Sequence, residues 1–165
     1  MRTLLLTAAM LAIAGCGGDF GDSTIPPGTY GATFAELSPK RWTAPAPPNY
    51  RGRTLYIEVQ IGSDGFPVVG GASVSSGDSI RVTLGDWEMT QRIQQTTGAG
   101  SRVQIAYEGT IEDSDGTSVM SGGYILDWSE SLQVLHYDEG IYVDTSIPDE
   151  TRASRIIRFE GDMRE

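Results

Sequence analysis

The sequence predicts an all-β fold: an antiparallel up-and-down meander of about eight to nine strands, closed into a small barrel or, as the alternative, folded into a two-sheet β-sandwich. Three observations predict it. Apolar and polar residues alternate with a period of two along most of the chain after residue 54. The alternating runs are joined by short links rich in Gly and Asp, such as Gly62-Ser63-Asp64-Gly65. The segment with Trp87, Met89 and Ile93, whose spacing suits strand or helix, lacks a full helical stripe of apolar residues.

The first element is not part of that body. Arg2 precedes an apolar run of 11 residues, Leu4 to Ala14, interrupted by one threonine. A positive residue followed by such a run is the pattern of a secretory leader, and the run is too short to span a bilayer. Ile13-Ala14-Gly15-Cys16 comes next and resembles the lipobox of bacterial envelope lipoproteins. The resemblance implies that residues 1–15 are a signal peptide cut before Cys16. It also implies that the Cys16 sulfur carries diacylglycerol and that the new amino terminus is acylated. At about 0.8 kcal/mol per buried methylene, two or three chains anchor stably where one is marginal. Cys16 is the single cysteine, so no internal disulfide forms, and lipidation removes the free thiol an oxidising compartment would hold. An Asp after the cysteine resembles the inner-membrane retention signal of enterobacterial lipoproteins. Gly17 stands there instead, so in a diderm source the expected address is the outer membrane, facing the periplasm.

The 165-residue chain carries a formal charge of −10. Loss of Arg2 with the leader leaves 11 basic against 22 acidic residues, a charge of −11. So acidic a protein repels phosphate backbones and anionic headgroups, which excludes nucleic-acid binding and a polybasic membrane patch. Attachment to a membrane falls to the lipid.

Residues 16–27 are small, polar and turn-rich, and read as a tether. Residues 28–165 read as one β domain. Within it, residues 38–53 form a Pro-rich loop, because Pro39, Pro45, Pro47 and Pro48 forbid a regular helix or a central strand. This loop carries Arg41, Trp42 and Tyr50, which read as a basic-aromatic patch. Two readings follow: a site for an envelope partner, or a surface loop whose Trp42 packs back on the core.

Leu55, Ile57, Val59 and Ile61 share one face of the first clear strand, and Phe66 to Val74 runs back after the turn at 62–65. Ile80, Val82 and Leu84 make the next run, and Trp87, Met89 and Ile93 continue at strand spacing. Val103, Ile105, Tyr107 and Ile111 alternate again before a hairpin loop at Glu112-Asp113-Ser114-Asp115-Gly116. Tyr124, Leu126 and Trp128 form the return strand. Leu132 to Tyr137 and Ile141 to Val143 flank Asp138-Glu139-Gly140, which reads as a tight turn, and Arg155 to Phe159 closes the meander. Gly109-Thr110-Ile111 with Met120-Ser121-Gly122-Gly123-Tyr124 resembles the paired strands of bacterial lipocalin-like domains, which implies a barrel. Asp64-Gly65-Phe66-Pro67-Val68 with Gly71-Ala72-Ser73-Val74 resembles the opening hairpin of transthyretin-like or carboxypeptidase-regulatory-like domains, which implies the sandwich.

No catalytic motif emerges. His136 is the single histidine, in Leu135-His136-Tyr137-Asp138, and no Gly-x-Ser-x-Gly elbow accompanies it. One histidine and a lipidated cysteine leave no zinc set. Asp113-x-Asp115-Gly116 resembles the start of a calcium loop but lacks the later ligands. No metal or other cofactor is therefore expected. Small barrels enclose apolar pockets or fill solidly. Trp87, Tyr107, Tyr124 and Trp128 are the aromatic residues that would line a pocket or fill the core. The expected function is that of a non-enzymatic, lipid-anchored cell-envelope lipoprotein binding a small apolar ligand or an envelope partner. The alternative is a sandwich module without a pocket, and a third reading is an envelope hydrolase.

Overall fold

The computed structural model describes residues 24–37, 54–113, 116–144 and 155–165. The leader with Cys16, the tether as far as residue 23, the loop carrying Arg41, Trp42 and Tyr50, and Asp115 lie outside the described residues.

Every described element is a strand. β1 (Gly28–Ala35) pairs antiparallel with β2 (Thr54–Ile61). A small hairpin of β3 (Val68–Val69) and β4 (Ala72–Ser73) follows. Then β5 (Ser79–Leu84), β6 (Trp87–Ala99), β7 (Arg102–Asp113), β8 (Gly116–Ser129), β9 (Val134–Asp144) and β10 (Arg155–Met163) form one antiparallel meander, each strand beside the next. Local hairpins thus account for nearly all of the pairing, as the short turns predict.

The period-two pattern sorts the side chains. Along β7 the odd positions Val103, Ile105, Tyr107 and Ile111 are buried; along β9 the buried positions include Leu135, Tyr137, Ile141 and Val143. One extra residue, Gln94, shifts the β6–β7 register after Ile93, and the clean alternation of β6 ends there. An extra residue bends its strand and increases its twist, which helps this sheet to wrap around its own core. Trp87, Ile105, Leu126, Leu135, Ile141 and Phe159 are fully buried at the centre.

The β1–β2 hairpin docks on β10. Gly31 N–H donates to Arg164 O at 2.9 Å and Leu37 N–H to Arg158 O at 2.8 Å. Both bridges keep one antiparallel register, yet the ladder between them is interrupted. Phe34 fills the interruption. Its ring lies over Gly161, where an added Cβ would come within 2.8 Å of it, and it also meets the Tyr137 ring at 5.6 Å. The absent side chain of Gly161 is thus the socket that seats the hairpin.

Two expectations are corrected. Asp138-Glu139-Gly140 is not a turn: β9 runs through it without a break, paired to β8 and β10 on either side. The sheet also does not close into a barrel. Among the described residues no ladder joins β2 to β5, so the sheet stays open there, as the sandwich alternative allows. Residues 62–78, which make the β3–β4 excursion, separate these two strands in sequence, so no tight turn sets a register between them.

Replacing Phe34 with Ala should lower the unfolding free energy by about 3–5 kcal/mol, the cost of emptying a buried aromatic socket. Urea denaturation measures this, and a loss below about 1 kcal/mol would show that the socket does not hold the hairpin.

Candidate functional site

The interior of an all-β domain is built from apolar side chains, so a carboxyl there needs a physical explanation. Glu139 supplies the case. It lies mid-strand in β9, directly opposite Tyr124 of β8 and Phe159 of β10, and is only 3% exposed. The period of two places it on the same face as Tyr137 and Ile141.

Two phenol groups satisfy it. Tyr107 donates its hydroxyl hydrogen to Glu139 Oε1 at 2.6 Å, and Tyr137 donates to Oε2. Tyr137 is two residues away on the same strand. Tyr107 is on β7, two strands from β9, and reaches across β8. It can do so because its partner on β8 is Gly122. A Cβ on Gly122 would stand 3.1 Å from the Tyr107 hydroxyl oxygen and 2.5 Å from the Gly140 carbonyl oxygen. Gly122 therefore holds open the path along which the Tyr107 ring extends.

The electrostatics follow from burial. Burial raises the Glu139 pKa above its ordinary value, and the hydrogen bonds from Tyr107 and Tyr137 pull it back down. Burial, and then the charge of Glu139, push the pKa values of Tyr107 and Tyr137 far up, and that of Tyr124 up as well. At neutral pH all three phenols are hydrogen-bond donors and not bases. Tyr124 stacks against Tyr137 with ring centroids 5.9 Å apart, and its hydroxyl has no hydrogen-bond partner among the described residues.

This polar group opens onto the seam between β2 and β5. A cleft of about 120 Å³ lies there. Ile57 and Val59 of β2, Ile80, Val82 and Leu84 of β5, and Met89 of β6 form its apolar walls, and Tyr124, Tyr137, Glu139 and Gln91 its polar end. Pro67, Val68 and Val69 border it near the end of β2, where Ile61 bridges to Pro67. At the other end Leu55 leans over the β5–β6 turn, where a Cβ on Gly85 would be 2.5 Å from Leu55 Cδ2. Side-chain packing thus covers both ends of the seam and leaves the middle accessible.

Of the four aromatic residues expected at a pocket, Tyr124 lines this cleft. Tyr107 acts one layer behind it through Glu139. Trp87 is fully buried in the core, and Trp128 packs edge-on against Tyr30 at 5.7 Å. Sequence reasoning missed Glu139 because its polar neighbours resemble a turn.

His136 lies on the outer face of the sheet, away from this site. Its Nδ1 is 3.0 Å from Asp162 Oδ1, and its Nε2 is 3.8 Å from Glu160 Oε1. Arg158 binds Asp138 through two contacts of 3.0 and 2.9 Å and Glu160 at 3.0 Å. These groups form a polar strip on the outer face, and no serine hydroxyl bonds to His136 among the described residues. Asp113 ends β7, where it faces Gly116 across the hairpin.

Searches against protein families, curated proteins and solved structures found no match for this chain.

Two substitutions test the site. Tyr107→Phe leaves one carboxyl oxygen without its donor and should cost about 1.5–3 kcal/mol at neutral pH. It also removes one of the two bonds that lower the Glu139 pKa, so that pKa rises further. A raised folded-state pKa means that the native protein holds the proton more tightly than the unfolded chain does. Stability is then lost as pH rises from the ordinary value of 4.5 through the folded value. The Tyr107→Phe penalty should therefore be larger at pH 7 than at pH 4, as measured by paired urea titrations. Gly122→Val should be worse than Tyr107→Phe, because it displaces the ring and meets the Gly140 carbonyl as well. Equal stability of Gly122→Val and the parent protein would refute the role given to this glycine.

Proposed function

We propose that the protein is a lipid-anchored envelope lipoprotein whose β domain binds a small, largely apolar ligand at the open seam between β2 and β5. The lipobox-like Ile13-Ala14-Gly15-Cys16 supports the anchor, with the outer membrane facing the periplasm as the address in a diderm source. The seam cleft carries the binding reading: apolar walls, one polar end and access from solvent are the ordinary features of a small-molecule site.

Magnitude limits the ligand. An engineered apolar cavity of about 150 Å³ accepts benzene, and drug-sized pockets run to about 300–1,000 Å³. A cleft of about 120 Å³ suits one ring or a short aliphatic segment. Because the seam is open, that segment can be the end of a longer molecule.

A second reading, the docking of an envelope protein, draws on the outer face. Tyr142 lies opposite Ile156, both 46% exposed, with Val119 on β8 at 56% and Leu37 beside β10 at 44%. Four exposed apolar side chains across neighbouring strands are more than scattered surface residues. Tyr142→Ser with Ile156→Ser separates the two readings: it would weaken a protein contact there while leaving binding in the seam untouched.

Mass spectrometry of the native protein tests the anchor. The amino-terminal peptide should begin at Cys16 and carry acyl mass, which Cys16→Ser abolishes. A free thiol at Cys16 in the native protein contradicts it. Toluene tests the cleft. It should shift the methyl resonances of Ile80, Val82, Leu84 and Met89 in a saturable way, and Val82→Trp should abolish the response. Unmoved methyls would rule the cleft out.

A further inference from the structure

The polar end of the cleft says which ligands suit it. Glu139 has two oxygens, and each accepts one tyrosine hydroxyl. A carboxylate offers about four lone-pair directions, so acceptor capacity remains after both bonds are made. Among the described residues no basic side chain lines the cleft: the two charged lining residues are Glu139 inside and Glu58 on the exposed rim. The whole chain adds a field of the same sign, with a net charge of −10. An anionic ligand such as a fatty acid would bring a second negative charge beside Glu139 with no cation among the described lining residues to offset it, in surroundings where such a charge is strongly disfavoured.

A cationic donor meets the opposite conditions. An ammonium group carries three N–H donors and no acceptor, which matches the unused lone pairs of Glu139. The Tyr124 ring, in the cleft wall with Tyr137 stacked on it at 5.9 Å, is an electron-rich surface of the kind that attracts cations. Gln91, 2% exposed and on the same wall, adds an amide oxygen. The apolar walls from Ile57 to Leu84 take the stem. We propose that the seam cleft recognises a small primary amine on an apolar stem, with Glu139 as the counter-charge and the tyrosine pair holding that carboxyl in place. This proposal rests on the reading of the cleft as a ligand site and specifies its ligand class.

Three probes of nearly equal size test it: benzylamine, benzyl alcohol and benzoate. They are titrated calorimetrically into the full chain in lipid nanodiscs, with empty nanodiscs as the blank. Benzylamine should bind about tenfold or more tighter than benzyl alcohol, the ratio expected of a charge-assisted hydrogen bond, and benzoate should give no saturable heat. Glu139→Gln should bring the amine-to-alcohol ratio close to one while the alcohol still binds. If Glu139→Gln does not fold, the order of the three probes on the native protein decides alone, and Tyr124→Phe, which leaves both bonds to Glu139 intact, should keep that order. Benzyl alcohol binding as tightly as benzylamine, or benzoate binding best, overturns the amine proposal while the cleft stands. Binding of none of the three overturns the cleft reading and the amine proposal together.

Discussion

The hydrogen bonds from Tyr107 and Tyr137 to the buried Glu139 carboxyl are the constraint around which this domain is arranged. A carboxyl removed from water is costly unless its oxygens are satisfied, and the molecule satisfies them from two different strands. Tyr137 does so along β9. Tyr107 does so from β7, and only because Gly122 leaves the intervening strand bare at that point. Strands β7 and β9 are thereby tied across β8 through one side chain. Phe34 of β1 then packs on Tyr137 and over Gly161 of β10, so the polar group also lies under the joint that carries the β1–β2 hairpin.

The open seam follows from the same arrangement of strands. Six strands from β5 to β10 are built by consecutive pairing, and β1 adds to β10 through widely spaced bridges. Closure would require β2 to meet β5, and the chain between them is spent on the β3–β4 excursion. Unpaired strand edges invite association with other chains. Here Leu55 over Gly85 and the residues near Pro67 cover the two ends, and the cleft between them has Tyr124 and the buried Glu139 among its lining residues.

Much of the fold was legible in the sequence. Strict alternation in residues 54–61, 80–84 and 103–111 named its strands and their buried faces, because a half-buried strand leaves a period of two. The turn composition between them named the hairpins. Closure was not legible, since it concerns the first and last strands of the order and no local signal encodes such a contact. Glu139 was hidden by its neighbours: Asp, Glu and Gly in succession have turn chemistry. Parity holds the signal that finds it. Leu135, Tyr137, Ile141 and Val143 fall on odd positions on both sides of the triplet, and a three-residue turn does not require that continuity. An uninterrupted strand does, and position 139 then points inward. The role of Gly122 is beyond sequence reading, because it depends on a ring two strands away from its target.

The ionisation of Glu139 is the most direct test of this account. Carbon-13 labelling of the glutamate carboxyls, with Glu139→Gln to assign the resonance, allows its titration to be followed by NMR. The account predicts that Glu139 titrates above the ordinary glutamate value of 4.5, since burial outweighs the two tyrosine bonds. Titration together with the surface glutamates would show a solvated carboxyl and contradict the buried tyrosine-held group at the centre of the domain.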